Sequence, residues 1–589
     1  MSYRIKVPVS TLLTAILLTF HSAQANEIEW QPWSDSVFAQ AKQEGRFVLL
    51  DLGTGWCHWC HVMEEVTYRD PAVVEFIRKR FIAVRVDADS RPDLSNRYED
   101  YGWPATIVFG GDGGEIVKRQ GYIPPKPMAA MLQAIIDDPT PGPSVLPATK
   151  LSSSTDPFLA ADSRQNLQKI LIDTYDPKNK GWGTIQKFLN WDVIEYCMAQ
   201  AKQGDTRLER MARETLAAQL HLVDPVWGGV CQYSTDGDWD HPHFEKIMQM
   251  QAENLRMYAA AYALWHDPNH LQTAKKIRGY LQNFLTAPEG VFYASQDADL
   301  VPGKHSAGYF RLSDSNRRKR GIPKVDQHIY SRENGWAVNA LATLYAVTGE
   351  ETYLIDAIRA ANWITSHRAL TDGGFRHDET DPAGPYLGDT LYMGRAFLAL
   401  YAVTADRMWL QRAEQAAQFI STTFNDEIGY VTAAKNGGLK SNPQVDENAD
   451  LVRFSNLLHH YTGNTAYQEM AQHAMQYLSI PAIADGRGFL VGGILLADQE
   501  IAAPPRHIIV VGRKDDAAAR ALFVAALQDP STYKRLEWWD VREGALPNSD
   551  VEYPALEQAA AFVCGDKSCS APIFSPEKLA GLSQKSVAR

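Results

Sequence analysis

The 589-residue chain has only six cysteines, no low-complexity tract, no extended run of one charge sign, and no apolar run after its first 20 residues long enough to span a bilayer. So few cysteines in so long a chain exclude a disulfide scaffold, and each pair needs its own explanation. A net charge of -12 with no concentrated basic face excludes a nucleic-acid footprint, which must displace counterions. The one basic cluster, Arg317-Arg318-Lys319-Arg320, reads as a solvated loop. Hydrophobic residues at 45% and charged residues at 22% are ordinary for folded protein, and the length exceeds what one core organises, so two or more domains are expected.

At the N-terminus Arg4 and Lys6 precede an apolar stretch from Val7 to Phe20, and Ser22-Ala23-Gln24-Ala25 supplies small residues for a signal peptidase. The stretch is shorter than a membrane span, and no cysteine at the cleavage point invites a lipid. Residues 1–25 are therefore expected to be a signal peptide. The expectation for the remainder is a periplasmic or secreted protein with no membrane anchor after processing.

Residues 47–51 read as a short buried strand, broken by Gly53-Thr54-Gly55 before Trp56-Cys57-His58-Trp59-Cys60. A helix is expected next, with Val62, Val66, Val73 and Phe76 on one face around a break at Asp70-Pro71. A second strand follows over 81–87, and Pro104 directly precedes a third, Ala105 to Phe109. Strand, CxxC, helix, strand, X-Pro, strand is the thioredoxin order. A thiolate must be the attacking species, and a cysteine at a helix N-terminus is acidified by the exposed amides, which places Cys57 as nucleophile. Cys60, one turn on, then resolves the mixed disulfide. Asp51 resembles the buried acid that serves proton transfer in thioredoxins, and Pro104 resembles their cis-proline that docks an extended substrate. Three rival readings stand beside this one: Cys57 to His61 as a c-type haem attachment motif, a zinc site on Cys57, Cys60 and His61, and an idle structural disulfide. The redox reading needs no metal and no cofactor.

The run Cys57-His58-Trp59-Cys60-His61-Val62-Met63-Glu64, with Val86-Asp87 and Arg91-Pro92-Asp93, resembles the thioredoxin-like (DUF255) domain of the spermatogenesis-associated protein 20 family. That resemblance implies an α/α toroid behind the domain, similar to N-acylglucosamine 2-epimerases and several glycosidases, and marks the chain as a divergent exported bacterial member.

A Pro- and Ser-rich linker is expected over 139–158, after a thioredoxin-like domain at 26–138. Beyond it a Gly-centred turn recurs at Gly181, Gly229, Gly290, Gly374, Gly429 and Gly488, separated by amphipathic stretches such as Leu271, Ala274, Ile277, Leu281 and Phe284. Six such units predict six helical hairpins closing into a toroid over 159–500, with an open solenoid as the alternative. Residues 501–589 read as a small α/β appendage completing that domain. The fold class is thus an α/β thioredoxin-like domain followed by an all-α toroid.

In the inter-helix turns, Gln232-Tyr233-Ser234-Thr235-Asp236, His241-Pro242-His243-Phe244-Glu245-Lys246 and Tyr293-Ala294-Ser295-Gln296-Asp297-Ala298-Asp299 resemble family signatures. His241, His243, Glu245, Asp297 and Asp299 are the candidate toroid site. Histidine and paired carboxylates are what proton abstraction or glycoside cleavage needs, while Trp239, Phe244 and Tyr293 are candidates to stack on a sugar. The alternative is that these residues only fasten loops. Cys564 and Cys569 resemble the family's terminal pair, read either as a stapled loop or as a second exchange site. Cys197 and Cys231 read as buried thiols or a single bridge.

Two functions follow. One is a thiol-disulfide oxidoreductase acting on a protein partner. The other is a carbohydrate-active or carbohydrate-binding toroid with a sugar ligand and an accessory thioredoxin-like domain.

Overall fold

Side chains alternate across an extended chain, and in Phe47–Gly53 (β1) both sets are apolar apart from Asp51, so this strand must be covered on two faces. It lies parallel to Phe81–Asp87 (β2) and antiparallel to Ala105–Phe109 (β3), which pairs with Glu115–Gln120 (β4), in the order β2-β1-β3-β4. Helices α1 (Val37–Glu44), α2 (His58–Val62), α3 (Pro71–Arg80), α4 (Pro92–Tyr98) and α5 (Pro125–Asp137) surround this sheet. Val48, Leu50 and Leu52 share a core with Val37 and Leu94; Leu49 shares the other with Val73, Ile77 and Leu132. The computed structural model describes residues 27–34, 36–98, 102–145, 154–381, 383–434, 439–554, 556–565 and 568–583, so the expected signal segment lies outside the described residues. The chain divides into two units, one of residues 1–148 with 302–304 and 437–439, the other of the remainder.

The helix expected after Cys60 is not one regular element. A π-helical turn, Met63–Thr67, follows α2 and shifts the phase of the face. Met63 and Thr67 are buried as a result, and Val66 is 46% exposed.

In the second unit, outer helix α6 (Ala161–Asp173) is followed by α7 (Trp191–Lys202) and α8 (Thr206–Gln219), then α9 (Met248–Trp265) and α10 (Pro268–Phe284). Short helices α11 (Ala307–Phe310) and α12 (Asp314–Arg320) fill an insertion. The series continues with α13 (Ser331–Thr348), α14 (Glu351–His367), α15 (Leu387–Thr404), α16 (Arg407–Thr423), α17 (Val445–Thr462), α18 (Thr465–Leu478), α19 (Pro481–Ala484) and α20 (Gly492–Ala502). Helices α7, α9, α13, α15, α17 and α20 each pack against the next, and α20 packs back on α7, so the ring is closed rather than an open solenoid. Each of α8, α10, α14, α16 and α18 packs outside the inner helix before it, and α6 packs on α20.

Five of the six recurring glycines, Gly181 to Gly429, stand where a turn crosses an outer helix. At Gly228 (φ 87°) a methyl would lie 2.5 Å from Lys276 O on α10; at Gly290 (φ 85°) it would lie 2.2 Å from Arg359 Cδ on α14. A buried polar residue in the next inner helix then clasps the residue after the turn. Gln251 bonds both N–H and C=O of Val230, Asn334 those of Phe292, and Asn448 those of Tyr430, while Thr390 accepts from Phe375 N. These clasps satisfy backbone groups that a buried turn would otherwise leave unpaired.

The basic cluster corrects the sequence reading, because α12 is a helix and Arg317 is fully buried. Its guanidinium grips Asp224 in two bonds, at 2.6 Å and 3.0 Å, and lies 4.7 Å over Trp227; Lys246 Nζ reaches the same carboxylate at 3.3 Å. Burial opposes ionisation of Asp224, but Lys246 and Arg317 hold its carboxyl below the usual range. Arg318 is 52% exposed at its side chain, which is what a cluster read as solvated leads one to expect of all four.

The C-terminal part forms a three-stranded sheet. Arg506–Val511 runs parallel to Lys534–Trp539 and antiparallel to Ala560–Cys564, with helix α21 (Ala517–Leu527) as the crossover. Asp516 accepts from Ala518 N and so caps the start of this helix. Cys564 and Cys569 are joined; Cys197 and Cys231 are free and buried, with burial pushing both thiols up.

Candidate functional site

Gly53 ends β1 and Cys57 caps α2, so the strand hands over to the helix at the cysteine pair. Cys57 Sγ accepts from Cys60 N at 3.1 Å, which puts the sulfur on the exposed amides of the first turn, and the two cysteines are joined with Cα atoms 5.2 Å apart. Cys57 keeps 4% of its surface and Cys60 is half-buried. A methyl at Gly53 would lie 3.1 Å from Cys60 Sγ. Asp51, two residues earlier, points to the same face of β1 as Gly53. Its carboxylate accepts from Tyr68 OH at 3.0 Å and Arg85 Nε at 2.9 Å; burial pushes its carboxyl up, against the pull of Arg85. Arg85 in turn stacks 4.2 Å over Trp30 and bonds Glu64, an acid-base network that the sequence reading missed. The Trp103–Pro104 bond is cis. Trp59, 40% exposed, stacks on Tyr122 at 5.7 Å, and Trp56 Nε1 donates to Asp89.

The toroid residues singled out from sequence differ in burial and in partners, and the β-register places Glu245 beside Asp297. His241 is exposed and paired to Asp238 at 2.9 Å, which raises its imidazole above the usual value. His243 lies half-buried, stacked 4.5 Å on Tyr233 and 3.9 Å from Glu245. Asp297 and Asp299 are both buried, and Asp297 Oδ1 accepts from Asp299 N at 2.8 Å, a bond that fastens the turn. Two of the expected sugar-stacking rings are engaged elsewhere: Trp239 is buried with its Nε1 on Asn179 O, and Phe244 is stacked on Phe310 at 4.3 Å. Tyr293 packs half-buried against the core.

A tighter constellation lies in the next repeats. Glu333, Asp389 and Glu447 each occupy the first turn of an inner helix, α13, α15 and α17, one residue before its clasping position. His377 Nδ1 donates to Asp389 Oδ1 at 2.9 Å beneath the ring of Tyr330, stacked at 4.1 Å, and in the following repeat Thr432 Oγ donates to Glu447 Oε2 at 2.8 Å. A methyl at Gly388 would meet Glu447 Oε1 at 3.0 Å and Arg332 Cδ at 3.2 Å, so these side chains crowd the start of α15. Glu333 Oε2 and Asp389 Oδ2 are buried without a hydrogen-bond partner among the described residues. The missed signal was the repeat register: His377 and Thr432 both stand two residues after a clasped aromatic.

Burial opposes charge on His377, but Asp389 and Glu333 outweigh it and lift the imidazole from 6.5 to about 9. A folded value above the unfolded one contributes stability that is full below about pH 6.5 and lost as the pH rises through about 9. His377 is therefore expected to contribute a fall of about 3 kcal/mol in unfolding free energy between pH 6 and pH 10, read as the difference in that pH dependence between the unmutated protein and Asp389→Asn in denaturant melts.

Residues 14–136 match the family described as "Protein of unknown function, DUF255" (Thioredox_DsbH), and residues 326–486 match glycosyl hydrolase family 76. Spermatogenesis-associated protein 20 of Mus musculus is 26% identical over 414 residues, covering 64% of this chain and 49% of that protein; the Homo sapiens protein is 25% identical, covering 64% and 50%. The chain thus spans about half the length of these relatives. The thiol:disulfide interchange protein DsbD 2 of Pseudomonas aeruginosa is 34% identical over 84 residues, 14% of each chain. Among solved structures, a D-mannose isomerase aligns at TM-score 0.45 and 12% identity over 58% of this chain and 96% of its own. The two family matches agree with the thioredoxin-like domain and helical toroid described above.

Proposed function

We propose, for a chain that belongs with the spermatogenesis-associated protein 20 family, that its DUF255 domain exchanges thiols and disulfides with a protein partner in an oxidising compartment, periplasmic or secreted. The observation that carries this reading is the position of Cys57 Sγ on the first-turn amides of α2, with Cys60 Sγ against the end of the strand that holds Asp51. In the reduced pair, the Cys57 thiolate attacks one sulfur of a partner disulfide and expels the other as a thiolate. Cys60 then passes its proton toward Asp51 and attacks Cys57 Sγ, which releases the second partner thiol and leaves the Cys57–Cys60 bond. Two electrons pass from the pair to the partner, and the same steps run backwards when the partner is a dithiol. The cis Pro104 loop supports docking of an extended partner segment. The signal-like N-terminus supports the compartment.

The full chain should catalyse dithiothreitol-driven insulin reduction, and Asp51→Asn should slow it about a hundredfold, the scale of lost general acid-base assistance. A rate equal to that of dithiothreitol alone for the unmutated protein refutes the reading.

A second reading, supported by His377 between Asp389 and Glu333, gives the toroid a sugar ligand at the long-loop end. Calorimetric titration of the full chain with mannose and cellobiose tests it, with loss of binding in Glu333→Gln expected.

A further inference from the structure

The inner helices carry a second polar assembly beyond their first turns. Glu195, Arg256, Asn339, Arg395, Arg453 and Glu500, one from each inner helix, line a cavity of about 210 Å³ on the toroid axis. Toward the C-terminal ends of the helices, α9, α13 and α15 present small side chains to this space, among them Ala260, Ala263, Ala342, Ala346, Ala399 and Ala402. The appendage closes one side: Ser531, Tyr533 and Lys534 line the cavity, and Asn456 Nδ2 donates to Tyr533 OH at 2.7 Å.

The charges in the ring are largely matched pair by pair. Arg256 reaches Glu253 and Glu195, each at 2.7 Å, and Arg453 bonds Glu195 and Glu500, while Arg395 pairs with Asp450. Asp529, at the appendage side, is taken up by Lys202 at 3.3 Å and Arg506 at 2.8 Å. Arg453 Nη1, on a side chain more than nine-tenths buried, has no hydrogen-bond partner among the described residues, and its nearest carboxylate, Asp192, is 4.0 Å away. Lys534 Nζ is turned onto the carbonyls of Leu527 and Asp529 rather than onto an acid. A space walled by alanine on one side and edged by Arg395, whose side chain keeps 15% of its surface while pairing with Asp450 through Nη1, asks for a negative head on a hydrocarbon body.

We propose that this axial cavity binds a small organic monocarboxylate, its carboxylate set against Arg395 and Arg453 and its hydrocarbon body along the alanine wall. The site is built by the toroid and the appendage together, and it runs from the middle of the inner helices toward their C-terminal ends, beyond the first turns that hold Asp389 and Glu447.

Isothermal titration of the full chain with sodium 4-phenylbutyrate, and with the neutral 4-phenylbutanol, tests the proposal. The acid should bind saturably with one site per chain and the alcohol about tenfold more weakly or less, the scale of one charge-assisted hydrogen bond. Arg395→Gln should weaken the acid to the level of the alcohol. Ala399→Leu, which fills the wall, should abolish binding of both, and Ala346→Leu is made alongside it so that a misfolded variant, recognised by circular dichroism, does not decide the outcome. Absence of saturable heat at millimolar acid, equal binding of acid and alcohol, or undiminished binding in both folded leucine variants would each overturn it.

Discussion

Cys60→Ser is expected to arrest exchange halfway, so that a covalent Cys57–partner adduct accumulates that reducing agent dissolves. Without Cys60 nothing within the first turn of α2 attacks Cys57 Sγ, and release depends on thiols from solution. Cys57→Ser should do the opposite: no adduct, and insulin reduction lowered by about a thousandfold or to background, since the sulfur held by the Cys60 amide is the attacking atom. Non-reducing electrophoresis of the two variants after incubation with scrambled ribonuclease reads both outcomes. Equal adduct formation by both variants would place the nucleophile elsewhere.

The second large effect concerns stability. Arg317→Leu should destabilise the toroid by about 3 kcal/mol, because it leaves Asp224 buried with Lys246 alone and strips two carbonyls, Leu312 O and Phe310 O, of their donor. Arg318→Leu, one residue on and half-exposed, should change stability by less than about 0.5 kcal/mol. Paired urea melts of the two variants make the comparison directly. Equal effects would mean that the Asp224 grip contributes nothing.

Much of the architecture was legible because it rests on patterns that local physics enforces. Residues 81–87 read as a strand and are one, since buried strands are short apolar runs between breakers. The hairpins were legible from the glycine turns, and the reason is now specific: the turns at Gly181, Gly229, Gly290, Gly374 and Gly429 cross an outer helix too closely for a side chain, while Gly488 has open space around it. The π turn at Met63–Thr67 was not legible, because one added residue per turn leaves composition unchanged while rotating every later side chain. Arg317 was misread for a related reason. A run of four basic residues hides which one faces inward until the helix phase is known, and its acid, Asp224, lies 93 residues away.

The candidate sites divide in the same way. Cys57, Cys60, Asp51 and Pro104 stand within one supersecondary unit, so their order along the chain carried their placement. The partner of Asp51, Arg85, is joined to it only by the β1–β2 register, which pairs these two residues directly. His377, Asp389, Glu333 and Glu447 come from four elements, and only alignment of one repeat on the next brings them into register.

The measurement that bears most directly on the account is equilibration of the full chain in glutathione buffers of graded potential, followed by differential alkylation and mass analysis of each cysteine. The account predicts that Cys57 and Cys60 open and close together as one two-electron couple, while Cys197 and Cys231, buried and free, stay unlabelled in the folded protein. Cysteines 57 and 60 that remain unlabelled under full reduction, or that are found as thioethers of a porphyrin, would contradict it.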